Sequence, residues 1–139
     1  MKQRDFLKIL SVTEKLKCNT RHCYTSTGRH ESVAEHSWRL ALMAMLLTPE
    51  FPHADMDKVI RICLIHDLGE AFTGDIPSFQ KTAEDTRKED ALFDAWVDTL
   101  PEPTRGGICR FAFGNERTGN PGGQNLQGSG QDGGGDPAQ

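Results

Sequence analysis

The chain has 139 residues, of which 36% are hydrophobic and 26% are charged, and its formal net charge at pH 7 is −4. A chain of this length forms one domain, and it has no apolar run near the roughly 18 residues that a membrane-spanning helix needs. The negative charge argues against a protein that wraps nucleic acid, although a local basic pocket could still bind a small anionic substrate. The first residues lack the apolar stretch of a signal peptide, and the four cysteines form no CxxC motif. We therefore expect a cytoplasmic protein with reduced thiols that binds neither nucleic acid nor membrane.

The first half of the chain predicts two amphipathic helices separated by a loop. Apolar residues at helical spacing predict a first helix over residues 3–17, followed by a polar, threonine-rich loop over residues 19–30. Ser32 and Glu35 form a capping-box pattern, in which each side chain satisfies a backbone N–H at the start of a helix. This second helix is predicted to run to about Leu47. The side chains expected to face inward are Leu40, Met43, Ala44 and Leu47.

Two further helices are predicted before Pro101. Asp55 or Asp57 caps a third helix that reaches about Leu68, and a fourth helix covers residues 81–100. The apolar stripe of the fourth helix is predicted to be Leu92, Ala95, Trp96 and Leu100. No stretch alternates convincingly with the period-two pattern of a strand. The sequence therefore predicts an all-α domain.

The composition changes sharply after Pro103. Eleven of the 14 glycines follow this residue, and Leu126 is the single bulky aliphatic side chain of the last 23 residues. Such a segment cannot bury enough apolar surface to offset the entropy of ordering its backbone. We therefore predict a helical domain over residues 1–103 and a disordered, glycine-rich tail over residues 104–139.

The codon table offers a second interpretation of this tail. One synonymous coding of Asn125 to Gln139, read one base later, gives I-Y-K-A-L-D-K-M-E-A-V-I-Q-H, which has an amphipathic helical pattern. The same offset over Gly114 to Gln124 permits E-M-N-E-R-E-T-R-E-A-K, a string of strong helix formers. We hypothesise that roughly Thr104 to Gln139 is the out-of-frame translation of a C-terminal helix. The gene sequence tests this interpretation against that of a flexible tail.

His66 and Asp67 follow the apolar run of residues 62–65 and are therefore predicted at the edge of a buried helix. Burying an imidazole and a carboxylate there without a partner would cost several kcal/mol. A histidine nitrogen and a carboxylate oxygen are ligands that suit divalent metals such as Zn, Mn, Co or Fe. The alternative is a hydrogen-bonded His–Asp pair within the core.

Two more carboxylates, Glu70 and Asp75, come within ten residues of His66. So much like charge requires a cation or a catalytic proton if the side chains lie together. Taken singly, Glu70 is equally consistent with a solvated helix end, and Asp75 with a residue that caps a turn. The pattern as a whole favours a metal-dependent site.

The segments SVAEHSWRLALMA and IHDLGEAFTGDIP resemble the HD-domain metal-dependent phosphohydrolases, and within them the 5′-deoxynucleotidase branch. The resemblance covers about residues 1–103. It implies an all-α HD-domain helical bundle, a homodimer, and one divalent metal ion such as Mn, Co or Zn. It also implies a phosphomonoester hydrolase that converts deoxynucleoside 5′-monophosphates to deoxynucleosides and phosphate.

Carried over to this chain, the resemblance makes His36, His66 and Asp67 metal ligands. The family's fourth ligand is an aspartate in a C-terminal helix with a pattern like A-L-D-K-M-E-A. This chain has no such helix in frame; the pattern occurs in the shifted reading, where it overlaps Ser129 to Asp132. Loss of this ligand predicts weaker metal binding and impaired activity.

The resemblance also implies catalytic roles for Glu70 and Asp75, with Glu70 positioning or activating the attacking water. Arg21 matches a substrate-binding arginine that contacts the phosphate, although by itself it reads as an exposed loop charge. The family often has an aromatic residue beside this arginine, and here the position is His22. Two alternatives remain open: a catalytically inactive module for nucleotide binding or dimerisation, and an HD phosphohydrolase with another nucleotide substrate.

Overall fold

The computed structural model describes residues 1–112, which form a bundle of helices with one small antiparallel sheet. This architecture confirms the predicted all-α class. In this part of the chain, no helix is long and apolar enough to cross a membrane. The elements in chain order are α1 (Gln3–Thr13), α2 (Lys15–Cys18), β1 (Thr20–Tyr24), β2 (His30–Ser32), α3 (Val33–Leu46), a 3₁₀ turn (Thr48–Glu50), α4 (Met56–Ile65), α5 (Glu70–Thr73), α6 (Ala83–Asp98) and α7 (Thr104–Ala112).

The segment predicted as a loop over residues 19–30 is wrong in part, because it contains the hairpin of β1 and β2. Thr20 pairs with Ser32 and Tyr24 with His30, in antiparallel register. Gly28 forms the turn at a φ of 80°, a conformation that glycine adopts without steric cost. The period-two signal is missing because the residues of β1 are exposed or half-buried, so neither face carries an apolar pattern.

Side-chain caps start helices α3, α4 and α6. The predicted capping box of α3 is confirmed, since Ser32 Oγ accepts from the Glu35 N–H and the Glu35 carboxylate accepts from the Ser32 N–H. Asp55 caps α4 by accepting a hydrogen bond from the Lys58 N–H at 3.0 Å. α6 begins with a second capping box at Thr82. These caps fix where α3 and α4 begin, and therefore where the side chains along them point.

Two clusters of buried residues form the core, and they confirm the predicted inward faces in part. Ala44 and Leu100 are buried as predicted, and Leu40 and Trp96 pack against the clusters. On α6 the residues that pack inward are Phe93 and Val97, whereas Leu92 is 38% exposed. On α3, Ala41 and Ala44 are buried while Met43 and Leu47 are exposed. Adjacent stripes on a helix differ by one residue, so spacing alone does not decide which stripe faces the core. The larger cluster is Leu16, Val33, Leu68, Ala71, Phe93 and Val97, and the smaller is Ala41, Ala44 and Cys63.

Helix α7 lies where the sequence predicted the start of a disordered tail at residue 104. The Glu102 carboxylate accepts a hydrogen bond from the Gly106 N–H at 3.2 Å and so caps the first turn. Packing of its apolar side chains offsets the low helix propensity of the two glycines in α7. The tail from residue 113 onward, including most of the hypothesised out-of-frame segment, lies outside the described residues. The α7 residues that pack against the larger core cluster are Ile108, Cys109 and Ala112.

Candidate metal centre

His66 and Asp67 lie directly after α4, where the helix gives way to a series of turns. The His66 Nδ1 atom is 2.9 Å from the Cys63 carbonyl oxygen. Because a carbonyl oxygen can only accept, Nδ1 is the donor, and the neutral ring presents the lone pair of Nε2 on its other side. Metal-bound histidines are usually oriented in this way.

His36 lies in the first turns of α3 and approaches the same aspartate. Its Nε2 atom is 3.9 Å from Asp67 Oδ2, and His66 Nε2 is 3.0 Å from that oxygen. One ligand atom from each of the three residues lies within 4.8 Å of the others. Atoms that share a metal ion at about 2.1 Å are separated by about 3–4 Å, so this spacing is suitable for coordination.

The chemistry of the three side chains also fits a cation. Asp67 Oδ2 is buried and has no hydrogen-bond partner within residues 1–112, even though His66 Nε2 is 3.0 Å away. Two electron-rich atoms this close require a proton on the imidazole or a positive ion between them. Two imidazoles and one carboxylate form a donor set that suits Zn, Mn, Co or Fe.

The charged groups of the cluster shift one another's pKa values. Contact with the Asp67 carboxylate raises the pKa of His66, against an opposing effect of burial. Burial raises the pKa of Asp67, but His66, His36 and Arg21 outweigh it, so the net shift is downward. Burial, followed by the charge of Arg21, lowers the pKa of His36. Asp67 is therefore held as a carboxylate and His36 as a neutral ring, which are the forms that bind metals.

Glu70 is the first residue of α5 and is 6% exposed. Its Oε2 atom has no hydrogen-bond partner within residues 1–112. Burial raises the pKa of Glu70 to about 8, and the charges of Asp67, Asp75 and Glu89 act in the same direction. Glu70 is therefore a buried carboxyl group, rather than a solvated helix end, with a pKa in the range suited to proton transfer.

Asp75 follows Gly74, whose φ of 78° lies in the region that favours glycine. The Asp75 Oδ2 atom is buried, and within residues 1–112 the side chain makes no hydrogen bond that would cap the turn. Its charge contributes to the raised pKa of Glu70. The two carboxyl groups therefore belong to one electrostatic cluster.

Arg21 extends from β1 to the predicted ligands. Its Nη1 atom is 3.7 Å from Asp67 Oδ2, and its Nε atom is 3.6 Å from Glu31 Oε2. The side chain is 18% exposed, in contrast to an ordinary loop charge. Glu31 was missed by the sequence analysis, although its carboxylate is also 3.9 Å from His36 Nδ1. It could be recognised only once the hairpin had brought β1 and β2 together.

A second group that the sequence analysis missed lies on the other side of Glu70. The Glu89 carboxylate accepts hydrogen bonds from Lys81 Nζ at 2.8 Å and from Thr73 Oγ1 at 3.2 Å. Glu89 precedes the buried Phe93 by four residues and Val97 by eight. A carboxylate on the buried stripe of an amphipathic helix was the signal that could have revealed it.

An aromatic edge is formed by His22, the residue that follows Arg21 in the chain, together with Phe79. The ring of His22 meets that of Phe79 edge-on, with the ring centroids 5.5 Å apart. Phe79 is 73% exposed, which is unusual for so large an apolar side chain. Phe79 belongs to the loop between α5 and α6, which also contains Asp75 and Lys81.

Residues 13–111 match the family model described as the HD domain. The chain belongs to the HD domain family. It is 32% identical over 107 residues to a human protein named 5′-deoxynucleotidase HDDC2, covering 73% of this chain and 51% of the human protein. It is 36% identical over 72 residues to the yeast 5′-deoxynucleotidase YBR242W, covering 50% of this chain and 29% of the yeast protein. The chain thus spans about half the length of HDDC2.

Two solved structures are similar in fold and sequence. A "predicted metal-dependent phosphohydrolase" from Magnetospirillum magnetotacticum MS-1 has a TM-score of 0.68 at 27% identity, covering 78% of this chain and 56% of that one. A conserved hypothetical protein from Pyrococcus furiosus has a TM-score of 0.57 at 29% identity, covering 76% and 66%. The relatives and the geometry together support a divalent metal at the cluster of His36, His66 and Asp67.

The first prediction concerns the metal itself. The purified chain should bind one Mn²⁺, Co²⁺ or Zn²⁺ ion, and H66N or D67N should weaken its affinity by more than about tenfold, because each removes a ligand atom. Isothermal titration calorimetry on the stripped protein measures this. The matched control is H53N, which changes an exposed histidine outside the cluster. Equal affinities in H66N, D67N and H53N would contradict the assignment.

The second prediction concerns Glu70 in the metal-free chain. Since its folded pKa of about 8 lies above the ordinary glutamate pKa of 4.5, the folded chain keeps a proton that the unfolded chain releases between these values. The resulting stabilisation is complete below pH 4.5 and is lost as the pH rises through 8. The free energy of unfolding in urea with chelator should therefore fall more steeply from pH 5 to pH 9 in the wild type than in E70Q.

The control for this measurement is E84Q, which changes an exposed glutamate on α6 and should keep the wild-type slope. The histidines titrate in all three proteins, and the charge of Glu70 also raises the pKa of His66, so E70Q removes this coupling together with the Glu70 proton. If the free energy of unfolding changed equally with pH in the wild type and in E70Q, Glu70 would not be the buried group with the raised pKa.

Proposed function

We propose that the chain is a metal-dependent phosphomonoester hydrolase that converts deoxynucleoside 5′-monophosphates to deoxynucleosides and phosphate. The observation that carries the proposal is the convergence of the Arg21 guanidinium and the Nε2 atoms of His36 and His66 on one oxygen, Asp67 Oδ2. A metal-dependent phosphomonoester hydrolase uses a metal site and a phosphate-binding cation side by side. The relatives named 5′-deoxynucleotidases support the choice of substrate.

His36, His66 and Asp67 would hold the metal ion, which when bound supplies a water molecule of lowered pKa and polarises a phosphoryl oxygen. Arg21 binds the phosphate through its guanidinium, whose planar N–H groups match two phosphate oxygens. Glu70, next to these groups, orients the attacking water and accepts its proton.

Asp75 is the second carboxyl group of the site, and its charge helps to keep the pKa of Glu70 raised. A carboxyl group with a raised pKa holds a proton well. Glu70 can therefore deliver to the leaving 5′-oxygen the proton that it accepts from the water, and the proton transfers balance.

The edge formed by His22 and Phe79 supports a nucleoside as the group attached to the phosphate. Exposed aromatic rings bind nucleobases by stacking, at about 1–3 kcal/mol per base. His22 follows Arg21 in the chain and Phe79 shares a loop with Asp75, which is why we assign the nucleoside to this edge. His22 here stands where the resemblance leads one to expect an aromatic side chain.

The alternative function is a nucleotide-binding module without turnover. It is favoured by the metal-ligand group within residues 1–112, which has three members instead of the four expected from the resemblance. Asp132 and Asp136, the two aspartates of the C-terminal segment that are candidates for the missing ligand, lie outside the described residues. The homodimer and the cytoplasmic location remain predictions.

The third prediction is that the wild type releases phosphate from deoxynucleoside 5′-monophosphates in the presence of Mn²⁺, Co²⁺ or Zn²⁺. R21M should lower kcat/KM by about a hundredfold, because a phosphate ligand is removed. R87M, which changes an exposed arginine on α6, is the control. Phosphate release is followed across a panel of deoxy- and ribonucleotides.

A variant with the shifted reading from residue 114 onward separates the remaining possibilities. Turnover by this variant alone would support the frame-shift hypothesis together with the proposed activity. Nucleotide binding without phosphate release by either chain would favour the binding module. Turnover by both would show that the fourth ligand of the shifted reading is not required.

The fourth prediction addresses the nucleoside. F79A should lower kcat/KM for a deoxynucleoside monophosphate by about tenfold, through the loss of base stacking, and leave that for glycerol 3-phosphate unchanged. F51A is the control, because Phe51 is also exposed but lies beyond the opposite end of α3 from His36. An equal loss for both substrates in F79A would point to damage of the phosphate site instead.

A further inference from the structure

The charge balance of the site requires more positive charge than a divalent metal ion and Arg21 provide together. Asp67, Glu70 and Asp75 act on one another electrostatically, and Glu89 adds its charge to the same cluster. A phosphomonoester brings a charge between about −1.5 and −2 at neutral pH. Binding such a dianion beside these carboxylates therefore calls for a further cation that faces the substrate.

Lys81 is a permanent cation adjoining this cluster. Its Nζ atom is 2.8 Å from Glu89 Oε2, and the side chain is 23% exposed. Glu89, Glu70 and Asp67 raise the pKa of Lys81 against an opposing effect of burial. Lys81 is thus within electrostatic reach of both Asp67 and Glu70 and keeps its charge at neutral pH.

The position of Lys81 is fixed from two sides. Its backbone N–H donates to the Pro77 carbonyl at 3.0 Å, which fixes the loop that follows Asp75. Its ammonium is held by Glu89, which also accepts a hydrogen bond from Thr73, the last residue of α5. The ammonium therefore lies against the short helix that begins with Glu70.

Glu89 also packs closely under the start of α5. A Cβ atom added to Gly69 would lie 2.8 Å from Glu89 Cγ, so there is no room for a larger side chain. Glu89 thus contacts α5 at the residue before Glu70 and again at Thr73. A carboxylate fixed in this way can orient the ammonium that it binds.

The ammonium keeps donors available for a ligand. A lysine has three N–H donors, and the one hydrogen bond of Lys81 Nζ within residues 1–112 is to Glu89. If the Lys81 ammonium served only to join α6 to the loop before it, it would need no N–H donor beyond the one that is bonded to Glu89. Two remaining donors on a partly exposed cation suit an anionic ligand that brings several acceptor oxygens.

We propose that Lys81 is a second substrate-binding residue, which contacts the phosphate together with Arg21 while Glu89 positions its ammonium. The inference rests on the proposed function, since it concerns the same phosphate. The site then includes Lys81 and the Glu89 carboxylate that holds its ammonium. Lys81 contacts the substrate, and Glu89 acts through Lys81 as a positioning residue.

The test compares K81M, K81R and E89Q with the wild type in the full chain loaded with Mn²⁺. K81M should raise the Kd of inorganic phosphate about tenfold by calorimetry and raise KM more than it lowers kcat. K81R keeps the charge and should recover at least half of the lost binding free energy. E89Q should give an intermediate Kd, because its lysine is retained but less well positioned.

The control is K88M, which changes an exposed lysine on the same helix as Glu89 and should bind phosphate like the wild type. Urea unfolding of each variant identifies any that fails to fold, and K81R and E89Q then supply the comparison. A Kd in K81M within twofold of the wild type overturns the inference, as does wild-type protein that binds no phosphate. Phosphate binding that depends on Lys81 without turnover of any nucleotide supports the inference while contradicting the proposed hydrolysis.

Discussion

Repulsion among buried carboxylates is the constraint on which this site depends. Asp67, Glu70 and Asp75 each have a buried oxygen without a hydrogen-bond partner in the described part of the chain. Every charge added to the group makes the next ionisation harder, which is why burial and these neighbours together bring the pKa of Glu70 to about 8. A sealed His–Asp pair would satisfy its own oxygens and need no further partner. The carboxylate oxygens observed here instead remain available to positive charge, as in a site for a cation and an anionic substrate.

Short-range polar interactions fix the groups that surround these carboxylates. Glu35 closes the capping box of α3 and also forms a two-point ion pair with Arg29, next to β2. The exposed ion pair adds little stability, but the cap contributes about 1 kcal/mol and defines where the helix begins. Because His36 follows Glu35 directly, the same interactions set the direction of its ring. The hairpin that carries Arg21 and the helix that carries His36 are therefore joined next to the site.

The sequence was most informative where a residue's role depends on its immediate neighbours. The caps at Ser32 and Asp55, and the chemical character of His66 and Asp67, follow from local residue types. The role of Glu31 could not be predicted from the sequence, because it depends on strand pairing in a hairpin without an alternating apolar pattern. On the predicted fourth helix, Trp96 and Leu100 were predicted correctly, but Leu92 was not, since only tertiary packing selects Phe93 over Leu92. Helix α7 was missed because its glycines oppose a helix that packing nevertheless stabilises.

The placement of Glu70 shows how distant segments combine to set one side chain. α5 has only four residues, too few for a helix to be stable by itself. Its first residue accepts a hydrogen bond at its carbonyl from Asn19, and its last donates one to Glu89. These partners are 51 and 16 residues away along the chain. Because both contacts are polar and directional, they fix the rotation of α5 as well as its location. The direction of the Glu70 carboxyl group therefore depends on the whole fold, whereas the presence of a carboxyl group depends only on the residue type at position 70.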